Sequence, residues 1–253
     1  MTNIVVINLE REAARREHMT AALAGLDLPF KFIDAIDLQL VTDAYLARQV
    51  VDPDILDTIG RGMTCCFLSH RKAWNVAANA QEWTVILEDD VHFGEGTKFF
   101  LATTDWIPPG VEFVKLETFG QKVLVQRRGH HIGDRRLLRL ASSHVGAAGY
   151  MITPRIAQRL LEESETIDWS IDKFLFDPAY PRLRDLVRWQ LTPALCVQDS
   201  HLNKNLGFAS ALKADRASRP RPLQRKSKPP WVRLAGHISR LLLDRQRIEI
   251  AFQ

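Results

Sequence analysis

The chain has 253 residues and 28.8 kDa, with 46% apolar and 25% charged residues, the profile of a globular protein with one large domain, or one domain and a tail. No apolar run approaches the ~18–20 residues of a spanning helix, and the opening MTNIVVINLE lacks the basic region of a signal peptide. Net charge is +4, but residues 213–247 hold eleven Lys or Arg and two acids, leaving 23 bases and 28 acids elsewhere: a mildly acidic body with a strongly basic tail. Three cysteines, Cys65, Cys66 and Cys196, form neither a disulfide framework nor a zinc spacing, and they suit a reducing, cytosolic location.

Asn3 to Leu9 is a short β-branched run that reads as a buried parallel strand. Arg11 to Gly25 has helical apolar spacing, and Phe30 to Ile36 alternates as a second strand. This opening β-α-β unit predicts a parallel α/β sheet. Thr42 to Val50 reads as a short helix, Asp52 to Arg61 as a loop, Gly62 to Ala80 as a helix and Thr84 to Leu87 as a buried strand. Beyond these the pattern predicts a helix at Thr97–Trp106 and a strand at Glu112–Leu116. A hairpin joins Lys122–Gln126 to Leu137–Leu140. A strand at Gly149–Ile152 precedes a helix opened by Pro154, and strand segments across Leu186–Val197 break at Pro193. The expected domains are a body over 1–212, a Pro-rich basic linker over 213–230 and an amphipathic helix over 231–253.

The sharpest chemical feature is Glu88-Asp89-Asp90 directly after a buried strand. Adjacent carboxylates raise each other's pKa unless a cation neutralises them, and the carboxyl ends of parallel strands are where open α/β sheets bind ligands. A hard ion, Mn²⁺ or Mg²⁺, suits such oxygens; a solvated acidic turn is the competing reading. Ser69 and His70 are adjacent on a helix and do not face one another, which disfavours a serine hydrolase. His70 is then a site-edge residue or a satisfied core histidine. No Gly-rich phosphate fingerprint is present, which disfavours nicotinamide cofactors and ATP motors. Asp168 and Asp172 flank Trp169; in a helix both acids would share one face. They read either as a helix cap, with Ser170, or as a general base beside a flat apolar platform for a sugar. A nucleic-acid partner rests only on the tail, which lacks a recognition motif.

Several segments, in order along residues 3 to 205, resemble glycosyltransferase family 25, the lipooligosaccharide galactosyltransferase-like family. They are INLER at Ile7–Arg11, FIDAID at Phe32–Asp37, CFLSHRKAW at Cys66–Trp74, VILEDDV at Val85–Val91, AAGYMIT at Ala147–Thr153 and IDWSID at Ile167–Asp172. Cys65 departs from the family pattern, which has Gly before the Cys. The tail from Lys213 is not covered. The resemblance implies a GT-A-like, Rossmann-type, mostly parallel sheet flanked by helices. It also implies an inverting transferase that moves a hexose, galactose foremost, from a UDP-sugar to a glycolipid or oligosaccharide acceptor. On it, Glu88, Asp89 and Asp90 take the metal role. Asn8, Leu9, Arg11, Asp34, Ala35, Ser69, His70 and Lys72 flank the donor. Asp172 or Asp168 serves as base, and Trp169 and Tyr150 face the acceptor. The basic tail is expected to lie against an anionic membrane surface, peripheral on the inner membrane, the competing reading being that its apolar stripe docks on the core of the body. Competing readings are another UDP-sugar, a protein acceptor, or a non-catalytic nucleotide-sugar-binding protein.

Overall fold

The computed structural model describes residues 2–202 and 244–253. β1 (Asn3–Asn8), α1 (Ala13–Gly25) and β2 (Lys31–Asp34) form the expected opening unit, with β1 and β2 parallel. α2 (Asp43–Ala47), α3 (Ile55–Ile59) and α4 (Arg61–Ala78) lead to β3 (Thr84–Glu88), which pairs in parallel with β1. The stretch expected as a loop over 52–61 thus contains the short helix α3. β4 (Val91–Phe93), α5 (Thr97–Ala102), β5 (Phe113–Lys115), β6 (Glu117–Thr118), β7 (Lys122–Ile132), β8 (Arg135–Leu140) and β9 (Gly149–Ile152) follow. The described chain closes with α6 (Pro154–Glu162), α7 (Ile171–Phe176), β10 (Trp189–Thr192), β11 (Cys196–Gln198) and β12 (Arg245–Glu249).

Among the described residues one nine-stranded sheet runs in the order β12-β7-β8-β10-β5-β9-β3-β1-β2, and a small sheet runs β4-β11-β6. β1, β2, β3, β5, β7 and β10 point one way, so the large sheet is mostly parallel in direction. β9 is interposed antiparallel between β3 and β5, and β8 and β12 also run against the majority. Helices cover both faces, which explains why β1 and β3 are apolar at successive positions rather than alternating. Val5, Ile7 and Ile86 pack into one core with Phe67 and Trp74 of α4. Ile4, Val6, Val85 and Leu87 pack into the other with Met19 and Leu23 of α1. On α4, Met63, Phe67, His70, Trp74 and Ala77 repeat at helical spacing and are all buried. Each fully buried apolar side chain of the size of Phe67 contributes ~1.5–3 kcal/mol.

The C-terminal expectation is corrected in part. Arg245–Glu249 is a strand antiparallel to β7, not the end of a helix over 231–253. The physical reason lies in the alternation of Arg245 to Ile250: Ile248 and Ile250 turn to the core that Val123 and Val125 of β7 also enter. Ile250 is fully buried, and its carbonyl accepts a hydrogen bond from Thr118 Oγ1 at 2.6 Å. The linker and the first part of the expected helix lie outside the described residues. No described helix is long and apolar enough to cross a membrane.

Beneath the carboxyl end of the sheet lies a buried ion pair. Lys115 Nζ sits 3.1 Å from Glu117 Oε2, and both side chains are fully shielded. Lys115 also donates to the carbonyls of Val145 and Gly146, and Ala148 N–H donates to Glu117 at 2.9 Å. Burial still pushes Glu117 up to about 7. Removing one partner of such a pair strands the other. Lys115→Met should therefore lower stability by about 3–5 kcal/mol in urea denaturation, and adding Glu117→Gln should restore most of that loss. A single variant as stable as the unmodified chain would show that the pair is dispensable.

Candidate active site

Parallel register brings three strand ends together. Asn8 lies opposite Asp34, and Ile7 lies opposite Glu88. The chain then turns at Asp89 and Asp90 and enters β4, whose Val91 pairs with Gln198 of β11. Glu88, Asp89 and Asp90 are held by groups from four separate elements. Asn8 Nδ2 donates to Asp89 at 2.8 Å, and Arg15 of α1 donates to Asp89 at 2.6 Å while lying 3.6 Å from Asp90. Gln198 Nε2 reaches both Glu88 (3.0 Å) and Asp90 (3.2 Å). On α4, His70 Nε2 lies 3.3 Å and Cys66 Sγ 3.8 Å from the Glu88 Oε1 atom.

Compensation is incomplete. Burial and the charge of Asp89 push the Glu88 carboxyl above its ordinary value, and burial and Glu88 do the same to Asp90. Arg15 pulls both down without cancelling the rise. His70, fully buried, is lowered to about 3 and is neutral. Its ring is fixed by a line of buried donors. Trp74 Nε1–H donates to the Tyr150 hydroxyl oxygen at 2.8 Å, Tyr150 O–H donates to His70 Nδ1 at 2.8 Å, and His70 Nε2–H donates to Glu88. This assignment gives every donor in the line an acceptor.

The acids open into a cavity of about 150 Å³. Leu9, Arg11, Ala35, Ser69 and His70, all expected at the donor, line it. Three other expected donor residues stand differently. Asn8 lies behind the acids and holds Asp89. Asp34 turns outward, with Arg16 at 4.0 Å, and Lys72 donates to the Asp34 carbonyl. The Ser69 hydroxyl is engaged within the fold, donating to Cys65 O and accepting from Ile36 N–H. Arg11 pairs with Asp37 at the mouth.

A second cavity of about 370 Å³ is lined by Thr58, Met63, Asp168, Trp169, Asp172 and Lys173, among others. The two acids do not share a helical face, which corrects that expectation: Asp168 precedes α7, and Asp172 lies in its first turn. Asp168 is spent on structure, accepting from Tyr180 O–H (2.9 Å) and Arg182 (2.6 Å). Asp172 accepts only from Ser170 Oγ, at 2.6 Å, among the described side-chain hydrogen bonds. Tyr150, expected at the acceptor, is fully buried and offers no surface to one; its aromatic ring belongs to the core between His70 and Phe176. Sequence reasoning missed Cys66 and Gln198 as site residues. Gln198 is 108 residues from Asp90 on a strand of the small sheet, and no local pattern announces it. Cys66 stands four residues before His70, a helical spacing that puts both on one face.

The model of glycosyltransferase family 25 (LPS biosynthesis protein) matches residues 1–175, and the chain belongs to that family. A putative glycosyltransferase of Haemophilus influenzae is 31% identical over 226 residues, covering 88% of this chain and 79% of that protein. The lacto-N-neotetraose biosynthesis glycosyltransferase LgtE of Neisseria meningitidis serogroup B is 29% identical, covering 83% and 80%. The lipooligosaccharide biosynthesis protein lex-1 of Haemophilus influenzae is 26% identical, covering 94% and 90%.

The line from Trp74 to Glu88 yields a test. Tyr150→Phe removes the hydroxyl that serves both Trp74 and His70 and leaves two buried groups unmatched. Stability should fall by about 1–3 kcal/mol, and the nitrogen NMR shifts of His70 should move as its tautomer is released. Unchanged His70 resonances would show that Tyr150 does not set the ring.

Proposed function

We propose that this glycosyltransferase moves a hexose, galactose foremost, from a UDP-sugar to a lipooligosaccharide- or lipopolysaccharide-type acceptor. We take the frame as GT-A-like and the reaction as inverting at the anomeric carbon. The observation that carries the reading is the acidic cluster at the joined ends of β1 and β3, opening with Arg11 and Arg15 into one cavity. The names of the relatives, which speak of lipooligosaccharide and lacto-N-neotetraose biosynthesis, support the acceptor class. The basic charge of residues 213–247 favours a peripheral position on an anionic membrane, where a glycolipid acceptor lies.

The donor set fits a hard divalent ion. Three carboxylates stand against one guanidinium, and burial raises two of them, the condition that a cation relieves. Asp90 and Glu88 would hold Mn²⁺ or Mg²⁺, because Asp89 is engaged by Asn8 and Arg15. When bound, the ion supplies charge neutralisation for the departing diphosphate. Arg15 and Arg11 add positive charge on the same wall, and Leu9, Ala35 and Ile36 give the nucleoside an apolar one. Asp172 is the preferred base. Its carboxylate carries one described hydrogen bond, against the two that occupy Asp168. It takes the acceptor hydroxyl proton as that oxygen attacks, with Trp169 offering the acceptor sugar a flat face.

A panel of UDP-sugars with Mn²⁺, read as UDP release with and without lipooligosaccharide acceptors, tests the reading. Binding of UDP without turnover of any donor would make the protein a binding module. Asp90→Asn should keep the fold and lose turnover by about 10²–10³-fold, and excess chelator should act likewise; full activity in chelator overturns the metal assignment.

A separate comparison addresses the base. Asp172→Asn should lower transfer by about 10²–10⁴-fold with donor affinity within a few-fold. Asp168→Asn should chiefly lower the melting temperature, since it loses Arg182 and Tyr180. An inactive Asp168→Asn beside a normal Asp172→Asn reverses the two roles.

A further inference from the structure

We propose that Cys66, His70 and Glu88 form a distinct, softer metal site on the floor of the cavity, one that takes zinc. Their ligand atoms, Cys66 Sγ, His70 Nε2 and a Glu88 carboxylate oxygen, all lie within 4.8 Å of one another. Two of the separations, 3.3 Å and 3.8 Å to Glu88 Oε1, already match the roughly 3.3–3.8 Å between ligands of a tetrahedral ion with bonds of about 2.0–2.3 Å. Thiolate, imidazole and carboxylate are the ligand types that zinc accepts together, whereas Mn²⁺ and Mg²⁺ favour oxygen alone.

The two oxygens of Glu88 face different chemistry. Oε2 turns to Gln198, which also holds Asp90, on the side of the hard acids. Oε1 turns to Cys66 and His70. The one carboxylate therefore stands between an all-oxygen cluster and a sulfur–nitrogen pair. Cys66 and His70 are presented by adjacent turns of α4, which Phe67 and Trp74 lock into the core.

An outer shell is in place as well. Metal-bound histidines hold their second ring nitrogen in a hydrogen bond that fixes the ring. His70 Nδ1 lies 2.8 Å from the Tyr150 hydroxyl, which Trp74 Nε1 also reaches. On metal binding His70 changes tautomer with no net change in its protons: Nε2 gives one to solvent, Nδ1 takes one from solvent and hydrogen-bonds through it to the Tyr150 oxygen, and the Tyr150 hydroxyl hydrogen rotates away from Nδ1. The Cys66 thiol proton leaves to buffer as the sulfur–zinc bond forms, so thiolate and carboxylate together balance the two positive charges. No electron changes hands. All three ligands line the cavity of about 150 Å³, which has room for a water molecule as a fourth ligand.

The test uses the full chain, stripped of metal, and needs no sugar donor, so it stands apart from the proposed activity. Titration with Co²⁺ should raise a thiolate-to-cobalt charge-transfer band that saturates near one equivalent, and Zn²⁺ should displace it. In Cys66→Ser the band should be lost. X-ray absorption at the zinc edge of the unmodified chain supplies the decision should that variant fail to fold. It should show one sulfur at about 2.3 Å and one imidazole nitrogen at about 2.0 Å. Zinc surrounded by oxygen alone, or a band that persists in Cys66→Ser, overturns the proposal.

Discussion

Glu88, Asp89 and Asp90 stand at the end of a buried strand, where like charges a few ångströms apart repel by about 4 kcal/mol at an effective dielectric of ~20. Each element around them answers part of that repulsion. Arg15 comes from α1, Asn8 from β1, His70 and Cys66 from α4 and Gln198 from the small sheet. The acids thus act as a hub at which the layers of the fold meet, and the elevated Glu88 and Asp90 show that the meeting leaves charge unanswered. That unanswered charge is what the proposed divalent ion would complete.

Much of the architecture was legible in the residues, because the first half of the chain obeys local rules. The unbroken apolar runs of β1 and β3 require cover on both faces, and the stripe on α4 supplies it on one. The acid triplet was legible for the same reason: its position follows from the strand before it. What was not legible depends on long-range closure. Gln198 reaches the acids through the pairing of β11 with β4, and nothing near residue 198 encodes that partner. The helical stripe expected over 231–253 ran on into Arg245–Ile250, whose period of two becomes decisive only beside the open edge of β7. The resemblance puts Tyr150 at the acceptor, yet β9 lies between β3 and β5 and buries it.

Two glycines show how closely the layers approach beneath the site. A Cβ on Gly149 would lie 2.3 Å from Cys196 Sγ, so β9 can pass β11 only without a side chain there. Gly146 has φ of +87°, and a Cβ on it would lie 2.5 Å from the Glu117 carboxylate. The segment from Gly146 to Met151 is therefore a packing device: it lets β9 pass between β3, which ends in the acid cluster, and β5, which carries Lys115, while staying close to Glu117 and Cys196.

β12 also bears on the integrity of the molecule. Leu202 and Asp244 are both described parts of the body, and Arg245–Glu249 lies in the large sheet beside β7. A peptide-bond break between them would divide the covalent chain without dividing the sheet. The product would be a two-fragment complex whose persistence is set by one five-residue strand pairing, the burial of Ile250, the bridge between Ala194 and Phe252, and the hydrogen bonds that Thr118 and Arg135 donate to the carbonyls of Ile250 and Gln253. In that state the protein's longevity would depend on a dissociation constant, and hence on its own concentration.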